Sequence, residues 1–256
     1  MPIKFCALVT VSAFGVQAML AQQSASSNAN MQDAVVSLVR SHNNWGPQAS
    51  TPNASLAVKE SERSGKIIKL RLYAEGVPKD GIYSIVAWPV TAKGPSVAQQ
   101  GVTLAADGLA ICAGTPGTCR GSKPDDPVDL VVQPIPGEPV RLGLVSADAS
   151  VRALAKTVPV PLKGEDHGCV VEAVLLTPGA ELVWIEGSGF AAGSELTVDS
   201  NSEGERQNKK VKADDQGRYT TAMLPYKQGL RSGTLKVGLK AAGCSPTVTV
   251  PWGRHD

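Results

Sequence analysis

Across residues 233–240, apolar Leu235, Val237 and Leu239 alternate with Lys236, Gly238 and Lys240. A helix cannot hold every second residue on one face, whereas an extended strand does so automatically. The same period recurs at 67–72, where Ile68, Leu70 and Leu72 share one side and Lys69 and Arg71 the other. Turn-forming residues separate such stretches, for the chain carries 26 Gly and 18 Pro. Many short strands joined by turns suit this composition better than helices do.

In the first half the pattern predicts strands near 67–72, 82–90, 96–104, 109–112, 128–132, 140–145 and 152–160. The turn at 77–81 contains Asp80-Gly81, a tight-reversal signal, which makes 82–90 the returning strand. In the second half strands are expected near 170–176, 182–186, 195–199, 209–213, 219–224, 233–240 and 247–251. Strands at that density have the spacing of an immunoglobulin-like sandwich. The expected fold is therefore all-β, with two tandem β-sandwich domains at 55–163 and 164–256.

The start of the chain differs. Lys4 is its first charge, and an apolar run follows. Residues 1–21 read as a signal peptide, with small residues offering cleavage after Ala18 or Ala21. The alternative is an uncleaved segment that tethers the protein. Residues 22–54 read as a flexible spacer and a short helix. Met31, Val35, Leu38 and Val39 have helical spacing, and Asn43-Asn44-Trp45-Gly46-Pro47 forms a stop. No later segment reaches the roughly 18 apolar residues of a membrane helix, so no stable span is expected after leader cleavage.

Four cysteines follow the leader: Cys112, Cys119, Cys169 and Cys244. An even set behind an export signal reads as a disulfide framework in a secreted or periplasmic protein. Four cysteines allow three pairings. Cys112–Cys119 and Cys169–Cys244 are favoured: the first closes a short Gly/Pro loop, and the second ties the first strand of the second domain to its last.

The second domain resembles a known class. Thr177-Pro178-Gly179, the segment from Val183 to Phe190 with Gly187, Ser188 and Gly189, and then Gly193 and Leu196 look like the opening of IPT/TIG-type bacterial immunoglobulin-like domains. Asp215, Gly217, Tyr219, Pro225 and Gly233 resemble later strands of that class. The resemblance covers about the last third of the chain and implies an immunoglobulin-like sandwich in an exported protein.

Charge is near balance, 25 Lys+Arg against 23 Asp+Glu. Nucleic acid is thereby disfavoured as a partner, because phosphate binding needs clustered positive charge. Lys209, Lys210 and Lys212 cluster, but acidic residues flank them, as on a solvated hairpin. No nucleophile elbow, phosphate loop or cofactor motif is present, so no cofactor is expected. Candidate metal ligands are Glu165, Asp166 and His167, contiguous at the expected domain junction. Candidate binding aromatics are Trp184, Trp88 and Tyr83; Trp184 forms a platform if Val183 and Ile185 point inward. The favoured function is a non-catalytic cell-envelope, adhesion or binding module with a protein or glycan partner. The alternative is a secreted hydrolase or metal-dependent enzyme centred on His167.

Overall fold

A computed structural model describes residues 45–90, 94–114, 119 and 123–253. The expected leader, and the expected helix with Met31, Val35, Leu38 and Val39, lie outside the described residues. Apart from a single 3-10 turn at Pro47–Ala49, the regular structure described is strand. The chain is all-β, as the alternation requires. Among the described residues no helix is long and apolar enough to cross a membrane.

The first half contributes β1 (Ser55–Ser64), β2 (Ile67–Glu75), β3 (Tyr83–Pro89), β4 (Ser96–Leu104), β5 (Ala110–Cys112), β6 (Leu130–Val132), β7 (Val140–Ser146) and β8 (Arg152–Thr157). They form a three-stranded sheet, β1-β2-β6, and a five-stranded sheet, β5-β4-β3-β7-β8. Ile68, Leu70 and Leu72 of β2 meet Ile85, Val102, Leu142 and Leu144 of the other sheet in one buried cluster. Two sheets that bury alternate residues against each other make a sandwich.

The second half contributes β9 (Leu162–Asp166), β10 (Cys169–Leu175), β11 (Val183–Ser188), β12 (Glu195–Ser202), β13 (Glu205–Lys212), β14 (Tyr219–Met223), β15 (Ser232–Lys240) and β16 (Thr247–Gly253). Their sheets are β14-β11-β10-β9 and β13-β12-β15-β16. Between them lies a second buried cluster that includes Val171, Ile185, Leu196, Val237 and Val250. Despite the two cores, the described residues belong to one compact unit. Gly137 joins the halves: its N–H donates to Val160 O at 2.8 Å, and its carbonyl accepts from Leu175 N–H at 2.9 Å.

Two expectations need correction. The chain through Asp80-Gly81 does not return β3 onto β2. The edges of β2 are taken by β1 and β6, whereas β3 pairs with β4 and β7. The connection from Gly76 to Ile82 crosses between sheets, a gap of about 10 Å. It is anchored by Tyr83 Oη, which donates to Pro78 O at 2.6 Å. The expected domain junction at 164–169 is not a break between sheets. β9 runs through the expected boundary and pairs with β10 around a turn in which His167 has φ +47° and Gly168 φ +84°. Five residues of which only Leu162 is apolar show little apolar signal, and only pairing with β10 reveals the strand.

Candidate functional site

The hairpin at Glu165, Asp166 and His167 works as a staple between the two sheets of the second sandwich. Asp166 Oδ2 accepts from Ser245 N–H at 2.6 Å, in the β15–β16 turn. Its other oxygen lies 2.6 Å from His167 Nδ1. This hydrogen bonding holds the Asp166 carboxyl below its ordinary value, with the Ser245 N–H the main cause. Beside it, the Cys169–Cys244 disulfide closes the same end. A Cβ on Gly164 would meet Thr247 O at 1.8 Å, so β9 and β16 approach more closely there than any side chain permits.

The three candidate metal ligands do not converge. Glu165 pairs with Lys163 at 2.6 Å. The His167 side chain is 78% exposed. The hollow of about 300 Å³ next to His167 is lined by Cys169, Phe190, Cys244 and small residues, and by no carboxylate. Among the described residues no group of three His, Cys, Asp or Glu side chains is placed to hold a metal ion.

The aromatic candidates separate. Tyr83 is only 2% exposed and belongs to the first core, so it offers no surface. Burial pushes its phenol up. Trp88 is half-buried, with Arg141 over its ring and the Trp45 ring 5.6 Å away, edge-on. Trp184 faces the outer side of its sheet, since Val183 and Ile185 are fully buried. Its Nε1–H donates to Glu186 Oε1 at 2.7 Å, and both residues line a hollow of about 280 Å³ with Glu172 and Arg218.

The cysteine framework is half formed. Cys112 and Cys119 are buried free thiols in this structure, not a bond. They sit close enough for Cys112 to act on Cys119. Burial first, and then that neighbour, push the Cys119 thiol up to about 11. The Cys119 Sγ also lies 3.4 Å from Gly101 O.

Another hollow lies across the outer face of β13, β12, β15 and β16. It is a groove of about 510 Å³. Because Leu196 and Val198 of β12 and Leu235, Val237 and Leu239 of β15 point into the core, Asp199, Lys236, Gly238 and Lys240 point out. Register assembles them into rows. Asn208, Asp199, Gly238 and Thr247 form one row, and Arg206, Asn201, Lys236 and Thr249 the next. Asn208 Nδ2 donates to Asp199 Oδ1, and Lys240 Nζ stands 3.5 Å from Asp199 Oδ2. Lys210, in the row of Thr197 and Lys240, reaches diagonally to Glu195 of β12 at 2.8 Å.

Sequence reasoning noticed the alternation of Lys236, Gly238 and Lys240 but assigned it no site. Arg206, Asn208 and Asp199 were silent, because only the β12–β13 and β12–β15 pairings place them beside those lysines. Compared with known proteins, the chain matches no family model, and no curated protein matches it.

Proposed function

We propose that this chain is an exported, non-catalytic binding module that holds a protein or glycan partner in the cell envelope or extracellular space. The groove on the outer face of β12, β13, β15 and β16 carries the reading. It gathers carboxylate, amide, guanidinium and ammonium groups on a rigid sheet, where their spacing is fixed. Export rests on the apolar run within residues 1–21 and on the Cys169–Cys244 bond, a link that persists in oxidising compartments. An immunoglobulin-like sandwich of the IPT/TIG type for 164–256 rests on the residues from Thr177 to Leu196. Two four-stranded sheets around one core support it.

Gly238 supplies the test. A Cβ there meets nothing nearer than Thr247 Oγ1 at 3.5 Å, so a side chain enters the groove without forcing the backbone. Envelope extract is passed over immobilised wild type and Gly238→Tyr, matched in thermal stability. The wild type retains a partner that the variant loses. Equal recovery by both, or none by either, overturns the reading.

A further inference from the structure

We infer that the groove takes an acidic glycan, a chain of sugars bearing carboxylate or sulfate groups. This inference rests on the groove being the binding site and adds the class of ligand. Its first support is charge. Arg206, Lys236 and Lys240 line the groove against one carboxylate, Asp199. Asp199 is already engaged by Asn208 and Lys240. Among the described residues neither Arg206 nor Lys236 makes an ion pair, although both face the same hollow.

Spacing is the second support. Arg206 and Lys236 both pair with Asn201, one from each side. Their strands therefore stand about 10 Å apart, two strand separations. Lys236 and Lys240 bracket Gly238 on β15, about 13 Å from end to end. Cations at such intervals match anionic groups repeated along a chain, not one compact ion. Between them Gly238 leaves a notch in the side-chain layer, where an added Cβ would meet nothing nearer than Thr247 Oγ1 at 3.5 Å.

Polar chemistry selects among anionic chains. Asn201, Asn208, Thr247 and the free lone pairs of Asp199 offer donors and acceptors beside the notch, which suit sugar hydroxyls. No aromatic side chain lines the groove, so it lacks the stacking platform that nucleobases use. Asp199, between the cations, accepts hydrogen bonds from sugar hydroxyls.

The test uses calorimetry or surface plasmon resonance on the folded chain with three probes: polygalacturonate, neutral dextran and poly-glutamate. Wild type binds polygalacturonate in preference to the other two, and the binding weakens as salt rises. The double variant Arg206→Gln/Lys236→Gln weakens it about tenfold, and Gly238→Tyr abolishes it. Equal binding of dextran and polygalacturonate, both lost in Gly238→Tyr, overturns the acidic class and leaves the groove standing. Preference for poly-glutamate replaces the glycan with an acidic peptide. Binding of none of the probes also overturns the inference. The groove itself then falls only if the extract experiment is indifferent to Gly238→Tyr.

Discussion

Arg141 lies over Trp88, its guanidinium carbon 4.7 Å from the ring centroid, on directly paired positions of β7 and β3. The Trp45 ring meets Trp88 edge-on, and its Nε1–H reaches both Ala155 O at 3.0 Å and Leu142 O at 3.2 Å. The outer face of the five-stranded sheet is thereby covered around β7 and β8. Gly143 helps to make this possible, since a Cβ there would press Leu154 at 2.6 Å. Arg141 is only 5% exposed, and its Nε is buried with no hydrogen-bond partner. Burial holds the guanidinium below its ordinary value. Lys156 stands directly opposite on β8, a like charge that adds to the cost.

Arg141→Met is accordingly expected to stabilise the fold by about 1 kcal/mol. Burying a guanidinium with its Nε unpaired costs more than its contact with an aromatic ring returns. Guanidinium chloride unfolding measures the change. A loss of stability would show that the Trp88 contact outweighs the desolvation.

The Cys169–Cys244 bond spans 75 residues. Closing a loop of that length restricts the unfolded chain by about 4.5 kcal/mol in the chain-entropy account. Replacing both cysteines by alanine should lower the unfolding free energy by about 3–4 kcal/mol. Matched denaturation curves with and without the bond provide the measurement. An unchanged midpoint would mean that Asp166 and the sheet pairing hold this end without it.

Asp166 gives the same end a pH dependence. Its carboxyl is held below its ordinary value in the folded chain, first by Ser245 N–H and then by His167. Its contribution is therefore complete above the unfolded-state value and is lost as pH falls through the lower folded-state value. Thermal midpoints followed from neutral to acid pH should fall more steeply for wild type than for Asp166→Asn. Parallel curves would remove Asp166 from the staple.

Cys119 predicts a chemical behaviour. With its thiol pushed from 9.0 up to about 11, little thiolate forms at neutral pH, and the native chain should alkylate slowly there. Stability should fall as pH climbs from about 9 towards 11, because the unfolded chain loses that proton first. Chain made in a reducing compartment should label at Cys112 and Cys119 only on unfolding. Chain exported to an oxidising compartment should resist labelling until reduced, the two neighbouring thiols having been joined by a thiol–disulfide oxidant. Fast labelling of native Cys119 at neutral pH contradicts the burial described.

The sequence alone determined the class of structure and most of the strands, because alternation at 67–72 and 233–240 is a local property that survives without knowing any partner. For Val183, Trp184 and Ile185 the period left open which face turns inward, and burial of Val183 and Ile185 against the opposite sheet decided it. The pairing of strands was a different matter. Nothing within 77–81 says that the chain crosses between sheets, and β9 carries too little apolar signal to be seen until β10 lies beside it. Tyr83 looked like a surface aromatic because its burial depends on the opposite sheet. Asp166 looked like a ligand because its partner, Ser245, is far away in sequence. The groove depends most on tertiary structure: Arg206, Asp199 and Lys236 come from three strands and become neighbours only through register, which hydrogen-bonded ladders fix over distances that a local pattern cannot span.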